Sequence, residues 1–318
     1  MKRVVKLLVA ALTSALVSVN ILAFMQARAM TRFVDDGERT ARPEQLSLVE
    51  RISVILSGVS IPRPRNLSTP AKYNLDFHAQ RFASRDGSIL EAWYVPGRED
   101  QPVILLFHGF AVSKSSLLTT ARVLHELGYG TLLVDFYGSG GSSGSGTTIG
   151  VKESDDVAAT VDYARRTWKD RKLVLYGISM GGAALLRAVA VDAVKPDAII
   201  VEATFDTLLN TGKNRFRSMR LSGWPFAQVL LFWGSVQNRF NFFSHNPVDY
   251  ARSVNCPALI LHGEEDERVT VEEARTIASA MGTSARFVAF PGVPHMPIID
   301  ARPEQWRREV EKFLEQVL

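Results

Sequence analysis

The chain has almost no cysteine: one, Cys256, among 318 residues. That excludes an intrachain disulfide and any cysteine-based zinc site. Standing just before an apolar stretch, Cys256 reads as an inert buried thiol, and so cysteine-poor a chain suits an oxidising compartment. The His-Glu-x-x-His spacing of zinc proteases is missing too. There is no block of like charge: 37 basic residues face 33 acidic ones, for a net charge of +4. A nucleic-acid partner is therefore not expected. Gly138-Ser139-Gly140-Gly141-Ser142-Ser143-Gly144-Ser145-Gly146 is rich in glycine but does not satisfy G-x-G-x-x-G, and no Gly-Lys-Ser/Thr follows it. It reads as a flexible loop, not a phosphate cradle. No internal repeat is present.

What the chain does have begins at its N-terminus. Lys2, Arg3 and Lys6 precede an apolar run from Leu7 to Met25. As a helix that run reaches roughly 28 Å, close to the thickness of a bilayer core. Two readings stay open: an uncleaved membrane anchor, or a signal cleaved near Ala27-Arg28-Ala29. Both carry the rest of the chain to the non-cytoplasmic side, where it is either membrane-held or secreted or periplasmic. The basic start favours a cytoplasmic N-terminus, although Arg28 and Arg32 on the far side weaken that bias. Residues 1–30 form this segment, and their removal is expected to leave a soluble domain. Residues 31–71 read as a connector. Pro62, Pro64 and Pro70 forbid a long helix in its second half. After Pro43, the spacing of Leu48, Val49, Ile52, Ile55 and Leu56 predicts an amphipathic helix that covers the domain or lies along the membrane.

Residues 72–318 show strand–helix alternation. Leu75–Phe82 and Ile89–Tyr94 flank a turn at Arg85-Asp86-Gly87-Ser88. Val103–Phe107, Thr131–Val134, Lys172–Tyr176, Ala198–Val201, Ala258–Leu261 and Phe287–Phe290 are apolar runs suited to strands buried on both faces. Helices are expected at Leu117–Leu127, Val157–Trp168, after Ser179, at Glu272–Met281 and at Trp306–Leu318. Such alternation means a mostly parallel sheet with helices on both faces, whose ligands sit at the carboxyl ends of the strands. From about 204 to 254 the rhythm breaks in a stretch rich in aromatics, among them Trp224, Phe232 and Trp233. We read it as a helical lid that covers the strand ends and suits an apolar acyl substrate. Lys213, Arg215, Arg217 and Arg220 lie in the same insert, where they suit anionic headgroups.

The chemistry centres on Gly177-Ile178-Ser179-Met180-Gly181, where an apolar strand runs into a small-residue helix. A serine on so sharp a turn presents its hydroxyl at the end of the sheet. Serine needs a base to take its proton, a carboxylate to orient that base, and N–H donors for the oxyanion. Of six histidines, His295 alone lies in a loop just past the last predicted strand, on the side where Ser179 emerges. His108 and His262 end strands as His-Gly and read as loop ties; His78, His125 and His245 read as structural. The acid is sought after Leu261 in His262-Gly263-Glu264-Glu265-Asp266-Glu267-Arg268-Val269. Asp266 is preferred, with Glu265 as the alternative.

In these motifs the chain resembles serine hydrolases of the α/β-hydrolase superfamily, most nearly its membrane-anchored or exported bacterial members. The resemblance rests on His108-Gly109-Phe110, the Ser179 motif, His262-Gly263-x-x-Asp266-x-x-Val269 and His295, in the family's order Ser, Asp, His. It spans about residues 75–318. Asp135-Phe136-Tyr137-Gly138 is similar to the family's Asp-x-x-Gly turn, with Tyr137 in place of the commoner arginine. The resemblance implies an α/β-hydrolase fold, acyl transfer to water through Ser179, His295 and Asp266, and oxyanion donors from the backbone N–H groups of Phe110 and Met180. It implies no metal and no organic cofactor. It leaves open a peptidase or amidase acting on short peptides, and a catalytically silent binding protein.

Overall fold

The run Val103–Phe107 forms a strand without one exposed residue. Its side chains alternate between two buried clusters: Leu105 and Phe107 in one, Ile104 and Leu106 in the other. The same alternation recurs in its neighbours, as a sheet covered on both faces requires. The computed structural model describes residues 2–41 and 46–317. Pro43, ahead of the expected connector helix, and Leu318, at the end of the expected last helix, lie outside the described residues.

The strands are β1 (His78–Ala83), β2 (Ile89–Val95), β3 (Val103–Phe107), β4 (Gly130–Val134), β5 (Leu173–Ile178), β6 (Ala198–Glu202), β7 (Ala258–Gly263) and β8 (Ala285–Phe290). They make one sheet in the order β1-β2-β4-β3-β5-β6-β7-β8. β1 pairs antiparallel with β2, and β2 antiparallel with β4. From β4 to β8 every pair is parallel. The helices are α1 (Lys2–Thr31), α2 (Leu48–Ser57), α3 (Leu118–Glu126), α4 (Glu153–Thr167), α5 (Met180–Val191), α6 (Leu208–Ser218), α7 (Phe226–Asn238), α8 (Pro247–Ala251), α9 (Val271–Met281), α10 (Ile298–Ala301) and α11 (Pro303–Val317). This is the α/β-hydrolase arrangement. β1 starts later than the run from Leu75 suggested, because Pro70–Tyr73 form a short 3₁₀ turn that ends at Asn74 in the left-handed region. α4 starts earlier than Val157, with Glu153, Asp155 and Asp156 in its first turn, where the helix dipole favours acidic groups.

By internal contacts the chain divides into two compact units, residues 1–62 with 208–244, and residues 63–207 with 245–318. The second holds the whole sheet. On one face α4, α5 and α9 bury Val157, Val161, Ala184, Leu185 and Ile277. On the other, α3 and α11 bury Leu118, Leu124, Trp306, Val310 and Phe313. In α11 the buried residues recur at helical spacing while the intervening positions are charged.

The first unit unites the N-terminal helices with those of the insert. α7 packs along the distal part of α1: Trp233 meets Phe24 edge-on at 5.4 Å. The Trp233 Nε1–H donates to Asn20 Oδ1 at 3.1 Å, and the Gln237 amide donates to the Phe24 carbonyl at 2.8 Å. α2 begins with a reciprocal cap between Ser47 and Glu50. Its Leu48, Val49, Ile52 and Leu56 nevertheless stay exposed. Asn20 and Phe24 both lie within residues 1–30, so removal of that segment would take both contacts from Trp233.

Burial makes one titration predictable. Asp156 on α4 accepts from the Ser84 hydroxyl at 2.6 Å and the Tyr137 N–H at 2.9 Å. Burial outweighs these bonds and pushes its carboxyl up to about 7. The folded state then holds a proton that the unfolded chain releases near pH 4, so stability falls as pH rises from about 4 to 7. Asp156→Asn should therefore raise the melting temperature relative to wild type more at pH 8 than at pH 5. The difference is on the order of a few kcal/mol, and thermal unfolding followed by circular dichroism at the two pH values measures it.

Candidate active site

Ser179 sits between β5 and α5 with φ 53 and ψ −114, a backbone region that side chains rarely occupy. Its flanking glycines have a steric reason. A Cβ on Gly177 would lie 2.6 Å from the Gly181 carbonyl carbon, and one on Gly181 2.4 Å from the Phe107 oxygen. Only hydrogen fits at either position. The turn is tied down on both sides: Ser179 N–H donates to the Glu202 carbonyl at 2.7 Å, and the Thr204 hydroxyl donates to the Ser179 carbonyl at 3.1 Å.

Three parallel strands end in loops that bring the expected residues together. Ser179 Oγ lies 3.4 Å from His295 Nε2, and His295 Nδ1 lies 2.6 Å from Asp266 Oδ2. The other Asp266 oxygen accepts from the Arg268 and Val269 N–H groups, both at 2.9 Å. The Asp266 side chain is 1% exposed and that of His295 20%. Glu264, Glu265 and Glu267 of the same acidic loop are exposed, and the alternative acid Glu265 is not the one beside His295. A serine, an imidazole and a buried carboxylate in this order can relay a proton out of the hydroxyl while the imidazolium is held by the acid.

The remaining histidines are occupied otherwise. His108 is fully buried; its Nδ1–H donates to the Gly109 carbonyl at 2.8 Å and its Nε2 accepts from the Phe136 N–H at 3.2 Å. Burial holds it neutral, with a lowered pKa. His262 donates Nε2–H to the Val269 carbonyl at 2.9 Å, and burial lowers it too. This bond fixes the loop that carries Asp266. His245, which donates to the Ile149 carbonyl at 3.1 Å, is pushed down by burial to about 3. His125 donates to the Pro96 carbonyl at 2.9 Å, and His78 opens β1.

The expected oxyanion positions lie on the same side. Gly109 and Phe110 follow β3, and a Cβ on Gly109 would stand 3.6 Å from the Ser179 Cβ. Met180 is the first residue of α5, where N–H groups have no partner within the helix.

Two supporting groups escape sequence reasoning. Lys114 is fully buried beside Asp135. Its ammonium pairs with Asp135 Oδ2 and, at 2.9 Å, with Glu91 Oε1, and lies 4.2 Å from the Trp93 ring centroid. Burial alone would raise Asp135; Lys114 and His108 outweigh it and hold the carboxyl low. The pair fixes the chain just after His108-Gly109-Phe110 to the end of β4. The other is Glu202, fully buried at the end of β6. It accepts from Tyr176 OH at 2.6 Å, Trp306 Nε1–H at 3.1 Å and Ile298 N–H at 2.8 Å. Its backbone carbonyl holds Ser179, and its carboxyl holds the segment just past His295. Burial raises its pKa. A glutamate in an apolar strand was the available signal. Glu202→Ala would leave three buried donors without an acceptor, at about 1–3 kcal/mol each. It should lower the melting temperature steeply, whereas Glu202→Gln should retain most of it; a thermal-shift comparison of the two decides.

Among the described residues no cluster of His, Cys, Asp and Glu is suited to a metal ion. Comparison with known proteins adds the following. A family model described as serine aminopeptidase, S33, matches residues 98–249. The chain is 26% identical over 236 residues to protein bem46 of Schizosaccharomyces pombe, covering 72% of this chain and 74% of that one. It is 27% identical over 211 residues to the lysophosphatidylserine lipase ABHD12 of Danio rerio, covering 62% of this chain and 54% of that one. Among solved structures, an esterase of Pyrococcus furiosus superposes with a TM-score of 0.68 at 22% identity, over 80% of this chain and 97% of that one. At that identity the likeness shows the fold.

Proposed function

We propose that the chain, which has the α/β-hydrolase fold, is a serine hydrolase of carboxylic esters. The observation that carries this is the Ser179–His295–Asp266 chain at the strand ends, with its 3.4 and 2.6 Å links. Ser179 Oγ attacks the ester carbonyl carbon while His295 Nε2 takes its proton. Asp266 accepts the Nδ1–H and stabilises the imidazolium. The tetrahedral oxyanion is met by the N–H groups of Phe110 and Met180, the second at the positive end of the α5 dipole. His295 returns the proton to the leaving alkoxide, leaving an acyl-enzyme on Ser179. Water, deprotonated by His295, then releases the acid. Neither a metal nor an organic cofactor enters these steps.

An ester with an apolar acyl chain is the substrate class we favour. It is supported by the esterase and lipase named among the similar proteins and by a helix, α1, long and apolar enough to cross a membrane. The description of the matched family model favours a peptidase as the second reading. Ser179→Ala and His295→Ala should each remove at least about three orders of magnitude of hydrolysis while leaving the fold intact. Asp266→Asn should cost a similar or smaller factor, and Glu265→Gln little. The panel comprises p-nitrophenyl acetate, butyrate, octanoate and palmitate beside aminoacyl p-nitroanilides. Faster turnover of the amides would overturn the ester reading, and full activity in Ser179→Ala would overturn the nucleophile. A wild type that fails to react with a fluorophosphonate would favour a silent binding protein.

For location we propose a single-pass anchor with the sheet domain on the non-cytoplasmic side. The alternative cleavage site at Ala27-Arg28-Ala29 lies inside α1, and both Ala27 and Thr31 are buried in their unit. That packing favours retention of the segment over its removal. The intact mass of the native protein should include residues 1–30, and the protein should resist carbonate extraction from membranes. A mature chain beginning at Met30 would overturn the anchor.

A further inference from the structure

Four helices of the first unit line a partly open apolar pocket of about 110 Å³. α1 contributes Leu22 and Ala23, α2 Val54, α6 Phe216, and α7 Phe226 and Leu230. The polar side chains at its wall are few. Gln26 spends its amide on the Val54 and Ile55 carbonyls at the end of α2, and Arg215 is the one cation. Such a lining gives water too few partners, and a cavity of this size compares with apolar cavities of about 150 Å³ that take up benzene. It therefore suits hydrocarbon.

The position of the cavity along α1 says which hydrocarbon. Residues 2–18 of α1 are exposed throughout, and cover begins at Val19. If the run from Leu7 crosses the bilayer, Val19 lies roughly 18 Å along it, past the middle of a core about 30 Å thick. α7 thus packs on the part of α1 that runs through the outer leaflet. The apolar residues that α7 and α2 leave exposed, Phe232 and Val236 on one and Leu48, Val49 and Ile52 on the other, then face lipid. α6 carries Lys213, Arg215 and Arg217 and no acidic residue, as suits a helix at the headgroup level.

We propose that this cavity is a binding site for one acyl chain of a bilayer lipid. The site is built wholly from the anchor and the insert, and it does not rest on the hydrolase reading. A lipid held there ties the insert helices to the leaflet. A chain that is withdrawn leaves an apolar void whose lining loses its contacts.

Photolabelling tests this on the full-length protein. It is reconstituted in dioleoylphosphatidylcholine vesicles that contain phosphatidylcholine with a diazirine in one acyl chain, irradiated, and mapped by peptide mass spectrometry. Adducts are expected on residues 216–230 as well as on the exposed part of α1. Ala23→Phe, and independently Val54→Phe, should lower the adducts on 216–230 by about tenfold, the loss expected when roughly two methylenes no longer find an apolar site. Both should leave those on residues 7–18 unchanged, and Ala10→Phe should change neither. Circular dichroism melts establish that the filled variants are folded. Adducts confined to residues 7–18, or equal on 216–230 in wild type and both filled variants, would overturn the proposal. Loss of the 216–230 adducts on addition of oleate, with those on 7–18 retained, would assign the site to a free fatty acid and overturn the lipid as occupant.

Discussion

The site depends on one strained residue. Ser179 occupies a backbone conformation worth on the order of 1–3 kcal/mol of strain, and the fold holds it there by over-determining it. The Gly177 and Gly181 positions pack backbone on backbone, with no room for a Cβ on either side. The Ser179 N–H and carbonyl are both bonded to the end of β6 or its next turn. Relaxing the serine would break these bonds and open the contact between β5, α5 and the end of β3. The strain persists because every way of releasing it uncovers buried polar groups.

The second level of order is electrostatic and lies under the first. Glu202 joins the serine turn through its backbone carbonyl, and the strand bearing that turn and the segment after His295 through its buried carboxyl. Lys114 and Asp135 do the same for the turn at His108, with Glu91 and the Trp93 ring completing the surroundings of the ammonium. Burying charges costs several kcal/mol per ion unless they are paired and fully bonded. The Lys114–Asp135 pair meets that condition, while Glu202 has three neutral donors and a pKa raised by burial; the contribution of both clusters is positional. They fix loops from different strands against one another, and the 3.4 and 2.6 Å links among Ser179, His295 and Asp266 follow from that fixing.

Much of this was legible in the sequence, for local reasons. Strands buried on both faces leave continuous apolar runs, and the serine turn leaves its glycines, so the sheet and Ser179 could be read directly. His295 followed from its place after the last strand. Asp266 is preferred over Glu265 from its place in His262-Gly263-x-x-Asp266-x-x-Val269, whereas its burial and its 2.6 Å contact with His295 are not revealed by a loop of four carboxylates. Glu202 left one signal, a glutamate ending an apolar strand, but its role and that of Lys114 stayed hidden because their partners are distant in sequence. The start of α4 was misjudged by apolar periodicity, since its first turn is acidic and is set by the dipole.

The association of α1 with the insert was the least legible feature, and its reason is physical. Both segments are apolar, and a sequence does not say whether an apolar face meets lipid or protein. On α1 residues 2–18 are exposed throughout, and beyond them exposed Ile21 and Met25 alternate with half-buried Leu22 and buried Ala27. Cover begins where Asn20 Oδ1 accepts from the Trp233 Nε1–H. A polar group on so apolar a helix is costly to cover unless it is partnered. The Trp233 Nε1–H is such a partner, and it makes the insert part of the helix's solvation. The distal half of α1 thus supplies one wall of the unit that the insert completes, through the contacts of Asn20 and Phe24 with Trp233 and Gln237.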